Sequence, residues 1–249
     1  MSSIVKKNLK KISDKYFWGQ HPEAALRYAP VVNEIRKRRL LDSKILEIGS
    51  GSLGITPYLK KKIDGVDINF SGPESGNLRK IEGEAKQLTF PNNSYDVSLS
   101  VDVIEHIPPE NREKSILEQL RVTIKLAIIV VPCGQNSEAQ DKLLRDKWNS
   151  LFKEKNQFFE EHVKFGLPKT SSLANYVDNA LAKLNRKAKV TIYPNLNLLV
   201  RSILMNTWIT KNKIFYYLYL KGYLFFLPIL KICNFGKAYR QVFVIEFAS

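Results

Sequence analysis

The stretch Lys44-Ile-Leu-Glu-Ile-Gly-Ser-Gly-Ser-Leu-Gly54 decides the fold. Its first half is a short apolar run with the length and composition of a buried parallel strand, and its second half opens at once into glycines at 49, 51 and 54. A strand that ends in glycines makes a turn where backbone meets a ligand without a Cβ in the way. The spacing Gly49-x-Gly51-x-x-Gly54 satisfies the dinucleotide fingerprint, but alone it does not choose among cofactors that carry an adenosine.

Working outward, Glu23 to Leu40 reads as a leading helix, and strands are expected over Ile63 to Ile68, near Lys80 to Glu82, and over Tyr95 to Ser100 and Ala127 to Val131. Between the last two, Ile116, Leu117, Leu120 and Ile124 recur at helical spacing and predict a crossover helix over Glu110 to Lys125. Beyond Pro132, Asn136 to Glu161 is polar and helical, and Val190 to Tyr193 and Arg240 to Phe247 are further strands. Asp67 falls at the end of the second strand, where a carboxylate accepts hydrogen bonds from both hydroxyls of a ribose; the plainer reading is a turn residue before Asn69.

A chain of 249 residues suits one elaborated α/β domain. We expect a core over about 25–135, a substrate-side insertion over about 136–186, a hydrophobic helical insertion over about 198–236 and a last strand over about 240–248. The hydrophobic and charged fractions, 44% and 25%, exclude a wholly disordered chain. The net charge of +15 favours anionic partners without selecting nucleic acid, phosphorylated sugars or acidic lipid. Cys133 and Cys233 show no disulfide or zinc spacing, which suits a reducing cytoplasm. The lysine-rich stretch from Met1 to Lys15 reads as neither signal peptide nor anchor.

With these motifs in order, the chain resembles the class I S-adenosylmethionine-dependent methyltransferases, in particular the type 11 group. Ile45 to Gly54 is similar to the family's first motif, Val66-Asp67-Ile68 to its second, Gly83-Glu84-Ala85 to its adenine-edge motif and Phe90 to His106 to its fourth-strand segment. The resemblance implies a Rossmann-like, seven-stranded, mostly parallel sheet with the last strand antiparallel, helices on both faces and the hydrophobic insertion before the last strand. It implies S-adenosylmethionine as cofactor. On the matching positions, Glu47 would hold the methionine amino group directly or through water, and Gly49, Ser50 and Gly51 would bring backbone to the cofactor. Asp67 would bind the ribose, Ile68 would pack on adenine, Glu84 and Ala85 would face the adenine edge, and Val101 and Asp102 would close the pocket beside the sulfonium. Glu84 departs from the aspartate usual in that motif.

Methyl transfer from a sulfonium is an in-line displacement with an activated leaving group, so alignment and water exclusion do most of the work. An acceptor hydroxyl must also lose its proton, and His106, at the carboxyl edge after the fourth strand, is the candidate base; a pocket-shaping histidine at a helix start is the plainer reading. No metal is assigned. Asp102, Glu105 and His106 share a turn and could hold a hard cation, but the only further ligand in view is the distant His162, itself read as an exposed helical residue or part of the acceptor site. His21 is read as structural.

The segment Ile214 to Phe235 has the length to cross a bilayer, yet Lys221, Gly222, Pro228 and Lys231 interrupt it and the strands on either side must share one compartment. As one helix it places Lys213, Lys221, Pro228, Lys231 and Asn234 on one side, the pattern of a helix lying on a surface. The occupant is an anionic membrane or lipid-linked acceptor on one reading, and the protein itself or a second subunit on the other. The expected activity is methyl transfer, at oxygen, to a small-molecule, carbohydrate or lipid-linked acceptor. Against it stand an NAD-dependent oxidoreductase, which leaves the segments at 83–85 and 90–106 unexplained, and a basic nucleic-acid-binding protein or RNA methyltransferase. Nucleic acid is disfavoured as a partner because no zinc-finger, aromatic-platform or helix-turn-helix pattern is present.

Overall fold

The computed structural model describes residues 21–248; the readings of Met1 to Lys15 lie outside them. The chain runs α1 (Pro22–Lys37), β1 (Ile45–Ile48), α2 (Thr56–Leu59), β2 (Ile63–Asp67), β3 (Leu78–Glu82), β4 (Tyr95–Val101), a 3-10 turn (Ile104–His106), α3 (Pro109–Val122) and β5 (Thr123–Pro132). It continues with α4 (Gln135–Phe152), α5 (Gln157–Phe165), α6 (Thr170–Lys183), β6 (Ala188–Asn197), α7 (Leu198–Trp208), α8 (Lys213–Leu220), a second 3-10 turn (Gly222–Phe226), α9 (Leu227–Leu230) and β7 (Ala238–Phe247).

One seven-stranded sheet has the order β3-β2-β1-β4-β5-β7-β6, with β7 antiparallel to both neighbours and the other pairings parallel. The expected Rossmann-like architecture is therefore present. Strand β5 shows why the sheet must be covered twice. Leu126, Ile128 and Val130 point to the side packed by α1 and the 198–230 segment, while Ala127, Ile129 and Val131 point to α3 and α6. The order reverses between β1 and β4, so their connections leave in opposite directions and open a crevice at the carboxyl edge.

Two expectations fail locally. The crossover helix stops at Val122, because Thr123 is extended and its hydroxyl donates to the Gln119 carbonyl at 2.6 Å. Ile124 therefore stands on a strand, 39% exposed, and not on the helix face. Nor is 214–235 one helix: α8 ends before Gly222 and Pro228 opens α9, so the one-sided lysine projection does not apply. Strands β6 and β7 are longer than expected, pairing over most of their length.

Two buried charge arrangements join the elements at the carboxyl edge. Arg240 on β7, 2% exposed, donates to Asp102 at 2.7 and 2.6 Å and to Glu23 of α1, while Arg27 reaches Asp102 at 3.3 Å. Burial opposes charging Asp102, but the two guanidiniums prevail and hold its carboxyl well below the usual range. Glu47, fully buried at the end of β1, accepts from the Tyr28 hydroxyl at 2.8 Å and the Ile55 N–H at 2.6 Å. There desolvation prevails and pushes the carboxyl up to about 7.

Arg240→Met strips two buried carboxylates of their main counter-charge and should cost about 3 kcal/mol in urea unfolding at neutral pH. A loss below about 1 kcal/mol would show that the cluster adds little. For Glu47 the folded-state affinity for the proton exceeds the unfolded one, so its stabilising contribution is whole below pH ~4.5 and lost as pH rises through about 7. Glu47→Gln keeps an acceptor for the Ile55 N–H and turns an amide N–H to the Tyr28 oxygen, which then accepts where in the parent its hydroxyl donates. The variant's stability relative to the parent should therefore rise by up to roughly 3 kcal/mol between pH 4.5 and 7 in paired urea titrations.

Candidate active site

The loops that follow β1, β2, β3 and β4 lie side by side at the carboxyl edge, and the residues singled out from the sequence fall on them. After β1 the chain folds back so that Gly49 and Ser50 donate to the Val66 carbonyl at 2.7 and 3.2 Å. A Cβ on Gly49 would meet the Val103 methyl at 2.3 Å, so hydrogen alone lets the β1 and β4 loops close on each other. Gly51 differs: its φ is +54° and a Cβ there would meet nothing within 4 Å, which leaves an open cradle beside exposed backbone.

Asp67, ending β2, fixes that cradle by accepting from the Gly51 N–H at 2.7 Å and the Asn69 N–H at 3.2 Å. Each oxygen keeps a further lone pair, the donor-seeking chemistry that a ribose diol satisfies. Ile68 beside it is 77% exposed, an apolar surface suited to the face of a planar ring. Glu84 and Ala85 occupy the tight turn after β3, with Glu84 paired to Lys86 at 2.9 Å and Ala85 packed against the cluster of Leu46, Ile48 and Val66.

Three expected positions serve differently. Glu47 lies wholly beneath the glycine turn with both oxygens engaged, so it braces α1 and the start of α2 and does not face the cradle. Val101 is a core residue packed with Leu99 and Val130. Asp102, at φ +53°, gives its carboxylate to Arg240 and Arg27, which leaves only its backbone to line the crevice.

The structure also brings the distant His162 to Glu105 and His106, which the sequence had placed on one turn, and leaves Asp102 out of the group. His106, in the turn after β4, and His162, on α5, face each other Nε2 to Nε2 at 3.4 Å, with a Glu105 oxygen 3.9 and 4.0 Å from the two nitrogens. Each imidazole is oriented from behind: His106 Nδ1 contacts Glu161 at 2.7 Å and His162 Nδ1 contacts Asp141 at 2.8 Å. Asp141 is in turn fixed by the Tyr239 hydroxyl at 2.8 Å and Arg201 at 2.7 Å. Arg112 ties the cluster's supports together through the Gly166 and Ile107 carbonyls at 2.7 and 3.0 Å.

Glu105 is fully buried and neither of its oxygens accepts a hydrogen bond. Burial first, and the charge of Asp102 second, push its carboxyl well above the ordinary range. Burial and the facing His162 lower His106, so the imidazole is neutral near pH 7 with a lone pair to offer. His162 is thus buried, not the exposed helical residue expected, because α4, α7 and β7 close around it. His21 is structural as read: it caps α1 through the Ala24 N–H at 3.2 Å and meets the Tyr219 hydroxyl at 2.9 Å.

Glu105, His106 and His162 offer one ligand atom each within 4.8 Å of one another. A carboxylate with two imidazoles, both held by carboxylates behind them, is a donor set that fits a divalent transition-metal ion. Between the end of α4 and the α7–α8 turn, an open cleft of about 480 Å³ is walled by Trp148, Phe152, Trp208 and Tyr216, with Lys211, Asn212 and Lys213 at its rim. Phe159 packs on Trp208 one helical turn before His162, so cleft and cluster share a support.

Residues 46–131 match the family described as methyltransferase domain. No curated protein is significantly similar to the sequence. Among solved structures, small RNA methyltransferase HEN1 superposes with a TM-score of 0.52 at 15% identity, covering 90% of this chain and 25% of that one. The methyltransferase domain of a bacterial CtHen1 gives 0.50 at 13% identity over 90% and 98% of the two chains. A Pyrococcus horikoshii protein gives 0.49 at 16% identity over 89% and 88%. The glycine turn, the carboxylate ending β2, the sheet order and the family match agree on a methyltransferase domain over residues 46–131, of the class that takes its methyl group from S-adenosylmethionine.

Proposed function

We propose that this protein methylates a hydroxyl group, with S-adenosylmethionine held on the β1–β3 loops and a divalent cation held by Glu105, His106 and His162. One observation carries the reading: a fully buried carboxyl group that accepts no hydrogen bond stands beside two imidazoles whose Nε2 atoms converge to 3.4 Å. Such a group costs several kcal/mol unless something neutralises it.

Gly49, Ser50 and Gly51 provide backbone beside the methionine end of the cofactor, Asp67 accepts from the ribose hydroxyls, Ile68 lies on adenine, and Glu84 and Ala85 flank the adenine edge. Glu47 keeps the glycine turn in place from below. The backbone at Val101 and Asp102 bounds the crevice on the β4 side. S-adenosylmethionine supplies a methyl group on a sulfonium, and a cation at the cluster supplies Lewis acidity that acidifies a bound hydroxyl. Glu161 and Asp141 keep the two Nε2 atoms aimed at the same point, which is the positioning that an in-line transfer requires.

The acceptor class we favour is glycan-type. The aromatic walls and lysine rim of the cleft beside α5 suit the face of a sugar and an anionic substituent. An RNA ribose is the second acceptor to assay, given the net charge and the substrate named for HEN1. Both cysteines are free thiols, in keeping with a cytoplasmic protein.

Calorimetry with S-adenosylhomocysteine should show binding by the parent, with Asp67→Ala weakening it roughly 10- to 100-fold through loss of charge-assisted hydrogen bonds. Absence of binding by the parent would overturn the cofactor assignment. Manganese titration followed by electron paramagnetic resonance should show one bound ion, lost in His162→Ala and in Glu105→Gln. If metal-free protein retains full methyl transfer and binds no ion, the cation reading falls and His106, oriented by Glu161, is left as the base.

A further inference from the structure

The β6–β7 connection, residues 198–237, is set apart by its charge. No aspartate or glutamate occurs between Asp178 and Glu246, a run that carries eleven lysines and arginines. In the rest of the chain acids and bases interleave. Within the connection Lys211, Lys213, Lys221 and Lys237 are exposed. The nearest carboxylates in sequence lie on other elements.

The same connection leaves its apolar side chains in water. Ile214 is 78% exposed, Tyr217 70%, Phe225 66%, Ile229 60%, Ile232 75% and Phe235 71%. On α7, Leu199 and Ile203 recur one turn apart on the outward side while Leu204 and Met205 turn in. A contiguous run of this kind is rare on a monomer and marks a contact surface. The inward side is settled: Tyr219, Leu224 and Leu227 are buried against the core shared with α1, so the segment is folded onto the body and not a loose tail.

We propose that residues 198–237 seat the protein on an anionic bilayer surface, with the aromatic and aliphatic side chains in the interfacial layer and the lysines on the lipid headgroups. No helix among the described residues is long and apolar enough to cross a membrane, and both ends of the segment return to adjacent strands, paired at Asn197 and Ala238. The contact is therefore one of lying on the surface. Short helices broken at Gly222 and Pro228 present apolar residues over an area instead of along a seam, which a fluid interface accommodates. Tyrosines at 216, 217 and 223 belong at headgroup depth, where a ring has one apolar and one wet end.

Charge argues against a second copy as the occupant. A two-fold interface sets the same patch against itself, and this patch has lysines with no acids to meet them. Anionic lipid supplies what the segment lacks.

Flotation of the full chain with phosphatidylcholine vesicles, with and without phosphatidylglycerol, tests the proposal. Binding is expected only with phosphatidylglycerol and should fall as salt is raised. Lys221→Glu with Lys237→Glu should weaken it roughly tenfold or more. Ile229→Ser with Ile232→Ser should also weaken it, while binding of S-adenosylhomocysteine stays unchanged in both variants as the check on folding. Failure of the parent chain to float, or flotation indifferent to both pairs of substitutions, overturns the proposal. So does a dimer in light scattering that the isoleucine substitutions dissolve, which would assign this face to self-association.

Discussion

The parallel pairing of β1 with β4 is the constraint from which the rest follows. Leu46 sits opposite Ser98 and Ile48 opposite Ser100, and from this seam the chain departs one way to β2 and β3 and the other way to β5. Parallel strands need crossovers, and crossovers that diverge leave their loops with nothing between them at the carboxyl edge. The glycine turn and the turn bearing His106 fill the two sides of that gap, close enough that Val103 rests on Gly49.

How much of this was legible depended on how far apart in sequence the partners lie. Strands β1, β2, β4 and β5 are apolar runs between turn signals and could be read directly, as could the turns that follow them. Asp67 was legible because its partner, Gly51, belongs to the adjoining loop. The cluster was legible only in part: Glu105, His106 and His162 were in view, but not that they meet. His106 and His162 are 56 positions apart, and Asp141, Arg201 and Tyr239, which make His162 a buried residue, come from three further elements. Asp102 was misread for a similar reason: a carboxylate after β4 looks available until Arg240, 138 positions on, is seen to claim it. The broken helix at 214–235 carries its own signals in Gly222 and Pro228, which a projection on one helical wheel averages away.

Buried charge at the carboxyl edge is handled in two ways that separate scaffold from site. Glu23, Arg27, Asp102 and Arg240 neutralise one another across α1, β4 and β7, and Asp141 is met by Arg201, His162 and Tyr239. Each of these carboxylates is met by at least one arginine, although Nε of Arg27 and of Arg201 and Nη1 of Arg240 find no acceptor. Glu105 is equally buried, yet no donor meets it, although an arginine, a histidine pair and several backbone groups lie around it. Among the buried acids described at this edge, Glu105 is thus the one whose two oxygens its neighbours leave unmet.

The 198–237 connection is bound into this frame and not appended to it. Because β6 runs parallel to β5, it delivers the connection to the carboxyl edge, the edge that carries the glycine turn and the histidines. Arg201 on α7 holds Asp141, which orients His162, and Trp208 at the end of α7 packs on Phe159 of the helix that bears His162. A displacement of α7 therefore moves the support of His162. Whatever the exposed side of the connection rests against, its buried side sets the aim of one of the cluster's two imidazoles, through the Arg201–Asp141 ion pair and the packing of Trp208 on Phe159.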